Sequence, residues 1–273
     1  MSQRLVPLLL LVLAGAVGME VVAQPMTGGA RAAAVGGATT ALPGEVWGQS
    51  NPAAWGTLTG PAVSLFAAQA YGLSELRLGA ALGVVPTRLA TVAAQARTFG
   101  FDEFREGVYR LGLARGFRLG TSRRFYVGLT LDYARVTVAR YGARGAPGVS
   151  VGWLVALLPT LHAGFHATHL NRPRYAADAE LPRTFALGLS YAPAPGLTVM
   201  ADVLKDVRFP ASWRGGLEVT PVDALALRVG VASAPMRFAT GVGLRLGPLE
   251  AAFAAERHYA LGWSPGLDVG WRW

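Results

Sequence analysis

The chain has 273 residues and a formal net charge of +9, with 52% hydrophobic residues, 15% charged residues, 35 glycines and no cysteine. A soluble domain carries roughly 25% charged residues, so this composition is poor in the charge a water-facing surface needs. The missing cysteine excludes a disulfide framework, a thiol nucleophile, a Cys-ligated metal and a lipid anchor through an N-terminal Cys, and the glycine content argues against a helical fold.

Residues 1–23 read as a secretory signal. Arg4 supplies a positive n-region, Leu5 to Val17 a short apolar core, and Val21-Val22-Ala23 a cleavage site that leaves Gln24 as the mature N-terminus. The competing reading, a transmembrane anchor, needs about 20 apolar residues. After Ala23 no run of about 18 uninterrupted apolar residues appears. Residues 24–61 lack strand alternation and are rich in small residues, among them Gly28, Gly29, Ala30, Ala32 to Ala34, Gly36 and Gly37. Too polar and glycine-rich to span a bilayer, this stretch is expected to lie as a plug in the lumen of a barrel.

From about Ala62 the chain breaks into segments of roughly 10 residues with period-two alternation, the repeated signature of transmembrane strands. Fourteen are expected, over 62–71, 75–85, 88–99, 107–119, 124–139, 148–158, 160–170, 183–193, 196–206, 211–220, 224–233, 236–247, 249–258 and 264–273. Successive strand side chains face opposite ways. One face is therefore apolar, as in Leu225, Leu227, Val229 and Val231, or Phe125, Val127, Leu129, Leu131 and Tyr133. The other is small or charged, as in Ala226, Arg228 and Gly230. Leu76, Leu78, Ala80 and Leu82 are likewise assigned to the lipid face, with Glu75, Arg77, Gly79 and Ala81 facing in. A soluble sandwich would present its second face to water with many Lys and Glu, but the chain has a single lysine, Lys205. In the 107–119 segment the lipid-facing series Tyr109, Leu111, Leu113 runs into Arg115, which predicts either a bulge or a register error.

Tight connections such as Val85-Pro86, Leu158-Pro159 and Gly247-Pro248 alternate with longer ones, among them 99–106, 140–147 and 170–182. Short periplasmic turns alternating with longer outer loops are what such barrels show. Arg144, Arg172, Arg174, Arg183 and Arg208 fall in or beside the outer loops, where lipopolysaccharide phosphates are within reach of arginine. The chain ends Leu267, Val269, Trp271, Trp273 on one face, a terminal aromatic strand of the kind read during outer-membrane assembly.

Chemistry is sparse. His162 and His166 share a strand face but sit about 13 Å apart at the usual rise, which does not suit one metal ion. The glycine run at 241–247 lies within a strand, not before a helix, and no serine has a nucleophile-elbow setting. No enzyme activity, cofactor, metal or nucleic-acid partner is expected. The expected lumen set of Glu75, Arg77, Arg110, Asp132, Asp202, Arg214, Glu218, Arg228, Arg245, Glu250 and Glu256 is of mixed sign. Such a set suits cross-strand ion pairs in a plugged barrel better than an open pore.

The run Gly29-Ala30-Arg31, then Gly36-Gly37-Ala38, then Asn51-Pro52-Ala53, resembles the start of FadL-type outer-membrane barrels, and more narrowly the PorV/PorQ-like group associated with type IX secretion. The Arg257-His258 to Leu261-Gly262 stretch is similar in pattern. The resemblance implies an all-β transmembrane antiparallel barrel of about 14 strands (residues 62–273) behind an N-terminal hatch (residues 24–61) in the bacterial outer membrane. It implies passage of hydrophobic small molecules or a secretion-associated role, with a structural or partner-binding barrel as the alternative. Arg31, Gly36, Gly37, Asn51, Pro52 and Ala53 are the implied gating residues. The implied partners are outer-membrane lipid and lipopolysaccharide, a hydrophobic ligand or secretion-system proteins. Against the pattern, Glu45 stands alone before the motif and Trp47 intrudes.

Overall fold

Each alternating segment folds as a strand, and the two ends of the array meet. The computed structural model describes residues 28–120, 123–176 and 179–273; the expected export signal lies outside the described residues. In chain order the barrel strands are β1 (Ala62–Gln69), β2 (Arg77–Pro86), β3 (Thr91–Gly100), β4 (Phe104–Leu119), β5 (Arg123–Val138), β6 (Gly142–Leu158) and β7 (Leu161–Ala167). A small hairpin, β8 (Arg174–Ala176) with β9 (Ala179–Glu180), sits in the longest connection. The barrel continues with β10 (Thr184–Ala194), β11 (Leu197–Asp206), β12 (Ser212–Val222), β13 (Leu225–Ser233), β14 (Met236–Leu246), β15 (Leu249–His258) and β16 (Gly262–Arg272). Fourteen strands close the barrel, each antiparallel to its neighbours, with β1 paired to β16 from Ala62↔Arg272 to Ala68↔Gly266. Among the described residues no helix is long and apolar enough to cross a membrane.

The faces decide what surrounds the barrel. Leu65, Leu111, Leu131, Leu187, Val229 and Phe238 are all at least half exposed and lie on outward faces of strands around the circumference. A soluble protein rarely exposes a contiguous apolar patch of more than a few hundred Å², whereas a barrel in lipid presents an apolar band on every strand. Aromatic rings add to it near the tight turns, where Trp153 lies between Phe125 and Phe165 with centroids 6.4 and 6.1 Å away.

Three expectations change. On β2 the leucines turn inward: Leu78, Leu82 and Val84 are buried, while Gly79, Ala81 and Gly83 take the outward face. Inside they meet Trp47, Trp55 and Phe66, so an apolar face here was no guide to lipid. Glu75 and Arg77 consequently leave the lumen set and are exposed. Second, the 140–147 loop shrinks to a turn, because Gly142 to Ala146 continue β6 opposite Val138 to Ala134. Arg144 thus lies on a strand; its glycine- and proline-rich neighbourhood only looked like a loop. Third, Arg115 needs no bulge. The last β3–β4 pair at the turn end is Thr91↔Ala114, so Arg115 starts a stretch of β4 with only β5 for a partner.

Candidate functional site

Most of residues 28–58 are buried and none is exposed, and their contacts are with inward faces of the wall. Helix α1 (Gly29–Ala34) is a single short turn and a half. It closes through Gly36 N–H to Ala33 O (3.1 Å) and Gly37 N–H to Ala32 O (2.9 Å). Both glycines have positive φ, 65° and 76°, where a side chain is strained. A Cβ on Gly36 would also overlap the backbone of Val231.

Carboxylates of the wall hold this segment. Arg31 donates to Glu218 through Nε (2.8 Å) and Nη2 (2.6 Å). Arg228, directly opposite Glu218 across β12–β13, donates to the same carboxylate at 2.6 Å. Asp268 on β16 accepts from Trp47 Nε1 at 2.6 Å and from the Ser64 hydroxyl. Asp202 on β11 accepts from the Thr40 backbone N–H at 2.9 Å. Glu45 adds a carboxylate from the segment itself, 4.0 Å from Arg31. Burial raises the Glu45 pKa, against the attraction of Arg31, which lowers it.

Asn51-Pro52-Ala53 has a definite structural task. Asn51 caps the 3₁₀ turn Pro52–Thr57: its Oδ1 accepts from Ala53 N–H at 3.0 Å, and Pro52 occupies the first turn where no donor is missed. Its Nδ2 donates to Thr40 O (2.7 Å) and to Trp153 O on β6 (2.8 Å). One side chain therefore ties together the turn, the preceding loop and the wall. The turn delivers Trp55, fully buried, whose Nε1 donates to Val46 O at 2.7 Å.

Close approach demands small wall residues. A Cβ on Gly112 would meet the Trp55 ring, on Gly128 the Ala53 backbone, on Gly152 Asn51 Oδ1, and on Gly164 Thr40 O. Gly128 and Gly152 are directly paired across β5–β6. These inward glycines were the sequence signal for a segment lying against the wall, and they read only as a crowded face. Trp47, Trp55 and Asp268 were not singled out as site residues at all.

The expected lumen ion pairs form across neighbouring strands, including Arg110–Asp132, Arg228–Glu218 and Arg245–Glu250. Arg237 adds another, to Glu256 at 3.0 Å. His166 is buried on an inward face, and His169 lies beyond β7 with Nδ1 2.6 Å from Pro182 O. Toward the loop end a cavity of about 440 Å³ remains, lined by apolar Val108, Ala134 and Leu181 and by charged groups such as Glu106, Arg110 and Arg214. That falls within the size of small-molecule pockets.

No protein-family model matches the chain, and no curated protein matches it by sequence. Solved structures do match in fold. The toluene transporter TbuX of Ralstonia pickettii is 12% identical with a TM-score of 0.67, over 90% of this chain and 98% of that one. The toluene transporter TodX of Pseudomonas putida is 13% identical with a TM-score of 0.61, over 90% and 97%. A FadL homologue of Pseudomonas aeruginosa is 11% identical with a TM-score of 0.62, over 90% and 98%. The chain therefore shares the barrel fold of FadL-type proteins, while the narrower PorV/PorQ likeness rests on the motifs at residues 29–53 alone.

Proposed function

We propose that the protein is a FadL-type outer-membrane barrel that passes hydrophobic small molecules, with residues 24–61 as the plug that gates it. The observation that carries this reading is the inward turn of β2. Leu78, Leu82 and Val84 form with Phe66 an apolar strip on the inner wall, and Trp47 and Trp55 of the segment cover it. An aqueous pore has no use for such a strip, whereas an apolar solute needs one to leave water. The structural neighbours that carry toluene favour small aromatic hydrocarbons as the first solutes to try. In this reading Arg31, Asn51 and the Gly36-Gly37 turn fasten the plug, and moving it joins the loop-end cavity to the turn end.

The test is uptake of toluene into proteoliposomes holding the mature chain, compared with a variant lacking residues 28–57. Entry in the intact protein, accelerated by the deletion, supports the proposal; equal uptake by protein-free vesicles and both proteins defeats it. A second reading, a sealed barrel that serves only structure or a partner, draws on the density of bonds at Glu218, Asp268 and Asp202. It requires that the deletion change nothing but stability.

A further inference from the structure

Five arginines gather at the turn end of one hairpin and its neighbouring turn: Arg115 and Arg118 on β4, Arg123 and Arg124 on β5, and Arg88 between β2 and β3. All five are exposed. No Asp or Glu occurs between Glu75 and Asp102 or between Glu106 and Asp132. Across the barrel the same end is partly neutralised, with Arg245 and Arg272 both held by Glu250 at 2.6 and 3.2 Å. Arg118 and Arg124 stand directly opposite each other in the β4–β5 ladder, in series with Gly116 and Tyr126 on the inward face, so they add positive charge at this end while Arg115 and Arg123 present it outward.

Position identifies the anion. Arg115 and Arg123 lie on the outward face, in series with Tyr109, Leu111 and Leu113 on β4 and with Val127 and Leu129 on β5. Arg115 is level with Val127, whose partner on β6 is Trp153 of the aromatic row, and its guanidinium sits 5.6 Å from the Phe117 ring. This is the height at which hydrocarbon gives way to headgroups, where long cationic side chains turn toward phosphate. A soluble polyanion cannot reach a face continuous with the lipid-facing band, but a lipid headgroup lies there already.

We infer that the outward pair Arg115 and Arg123 is a binding site for anionic glycerophospholipid in the leaflet at the turn end, the phosphates engaging the guanidinium forks and the acyl chains lying on Leu113, Val127 and Leu129. The inference rests on the membrane reading of the barrel.

Native mass spectrometry of the mature protein, loaded with equal phosphatidylglycerol and phosphatidylethanolamine of matched chains, tests it. Retention of phosphatidylglycerol over phosphatidylethanolamine is expected. The preference should fall about fivefold for each arginine removed in Arg115→Gln and Arg123→Gln and survive in the lysine versions. The distant pair Arg140→Gln and Arg144→Gln, at the other end, should leave it intact. Equal retention of the two lipids, an unchanged preference in the glutamine variants, or an equal loss in the distant pair overturns the inference. So does displacement of the lipid by millimolar glycerol phosphate, which would make this a site for soluble phosphate. Should the double variant fail to fold, each single exposed substitution is read in the same way. A mature chain that stays monomeric in water without detergent fails earlier and differently, since it defeats the membrane reading as well.

Discussion

The inner wall has two halves that hold the same segment by different means. Beneath β1–β4 the contact is apolar, with Trp55, Trp47, Phe66, Leu78 and Leu82 sharing one cluster. Along β11–β16, the ionic half, carboxylates hold the segment beside an apolar contact of Val35 and Leu42 with Met200: Glu218 pairs with Arg31, and Asp202 and Asp268 accept from Thr40 N–H and Trp47 Nε1. The apolar half tolerates sliding, because burial is non-directional. The ionic half does not, because displacement takes Arg31 from Glu218 and leaves Asp202 and Asp268 as buried carboxylates short of a donor. The ionic half therefore sets where the segment sits, and the apolar half adds adhesion.

Removing Glu218 is the strongest way to break that division. Glu218→Ala strands Arg228 and leaves Arg31 to Glu45 at 4.0 Å, and loss of one partner from a buried pair costs about 3–5 kcal/mol. Hydrogen exchange of the backbone amides at residues 29–57 should accelerate by more than two orders of magnitude, with the barrel amides unchanged. Trp55→Ala attacks the other half. It should cost about 3 kcal/mol through lost packing and loosen residues 52–58 in the same assay without releasing Arg31. Simultaneous release of both ends would refute two separable halves. Asn51→Ala joins neither half but severs the link between them. A lost cap costs about 1–2 kcal/mol, and protease cleavage near residues 50–53 should rise while Glu218 contacts persist.

The smallest effect is a pH response. In the docked segment the Glu45 pKa is raised above its ordinary 4.5, with burial as the leading cause. A raised carboxylate favours the docked state fully below the unfolded value and loses that contribution as pH rises through the folded one. Docking should weaken modestly on going from acid toward neutral pH, and Glu45→Gln should flatten the profile. An unaltered slope in that variant would assign the response to another group.

Strand number was readable because lipid on one side and a crowded interior on the other impose strict alternation, as in β13 and β14, but strand ends were less so: β6 starts at Gly142 and β4 at Phe104, each ahead of the alternating run. β2 misled for a physical reason: both sides of it are apolar or small, so alternation survives while its direction is lost. Arg115 looked like an error of register because a single sequence does not say where the neighbouring strand stops. Of the expected gating residues, Asn51 with Pro52 was legible as a turn from backbone chemistry, whereas Gly36 and Gly37 were carried by the motif likeness alone. The wall partner of Asn51, Trp153, was not legible, and neither was the Trp47–Asp268 bond, since partners more than 100 residues away leave no local trace.

The seam between β1 and β16 also sets a schedule. It carries a bond from Trp273 N–H to Pro61 O at 3.0 Å, so the last strand of the ring to be synthesised closes onto the first. No nascent product lacking β16 can be a closed cylinder. The polypeptide must be kept unaggregated, with two adhesive edges open, until that strand arrives, and a lesion within it would act on assembly before it acted on anything the finished barrel does.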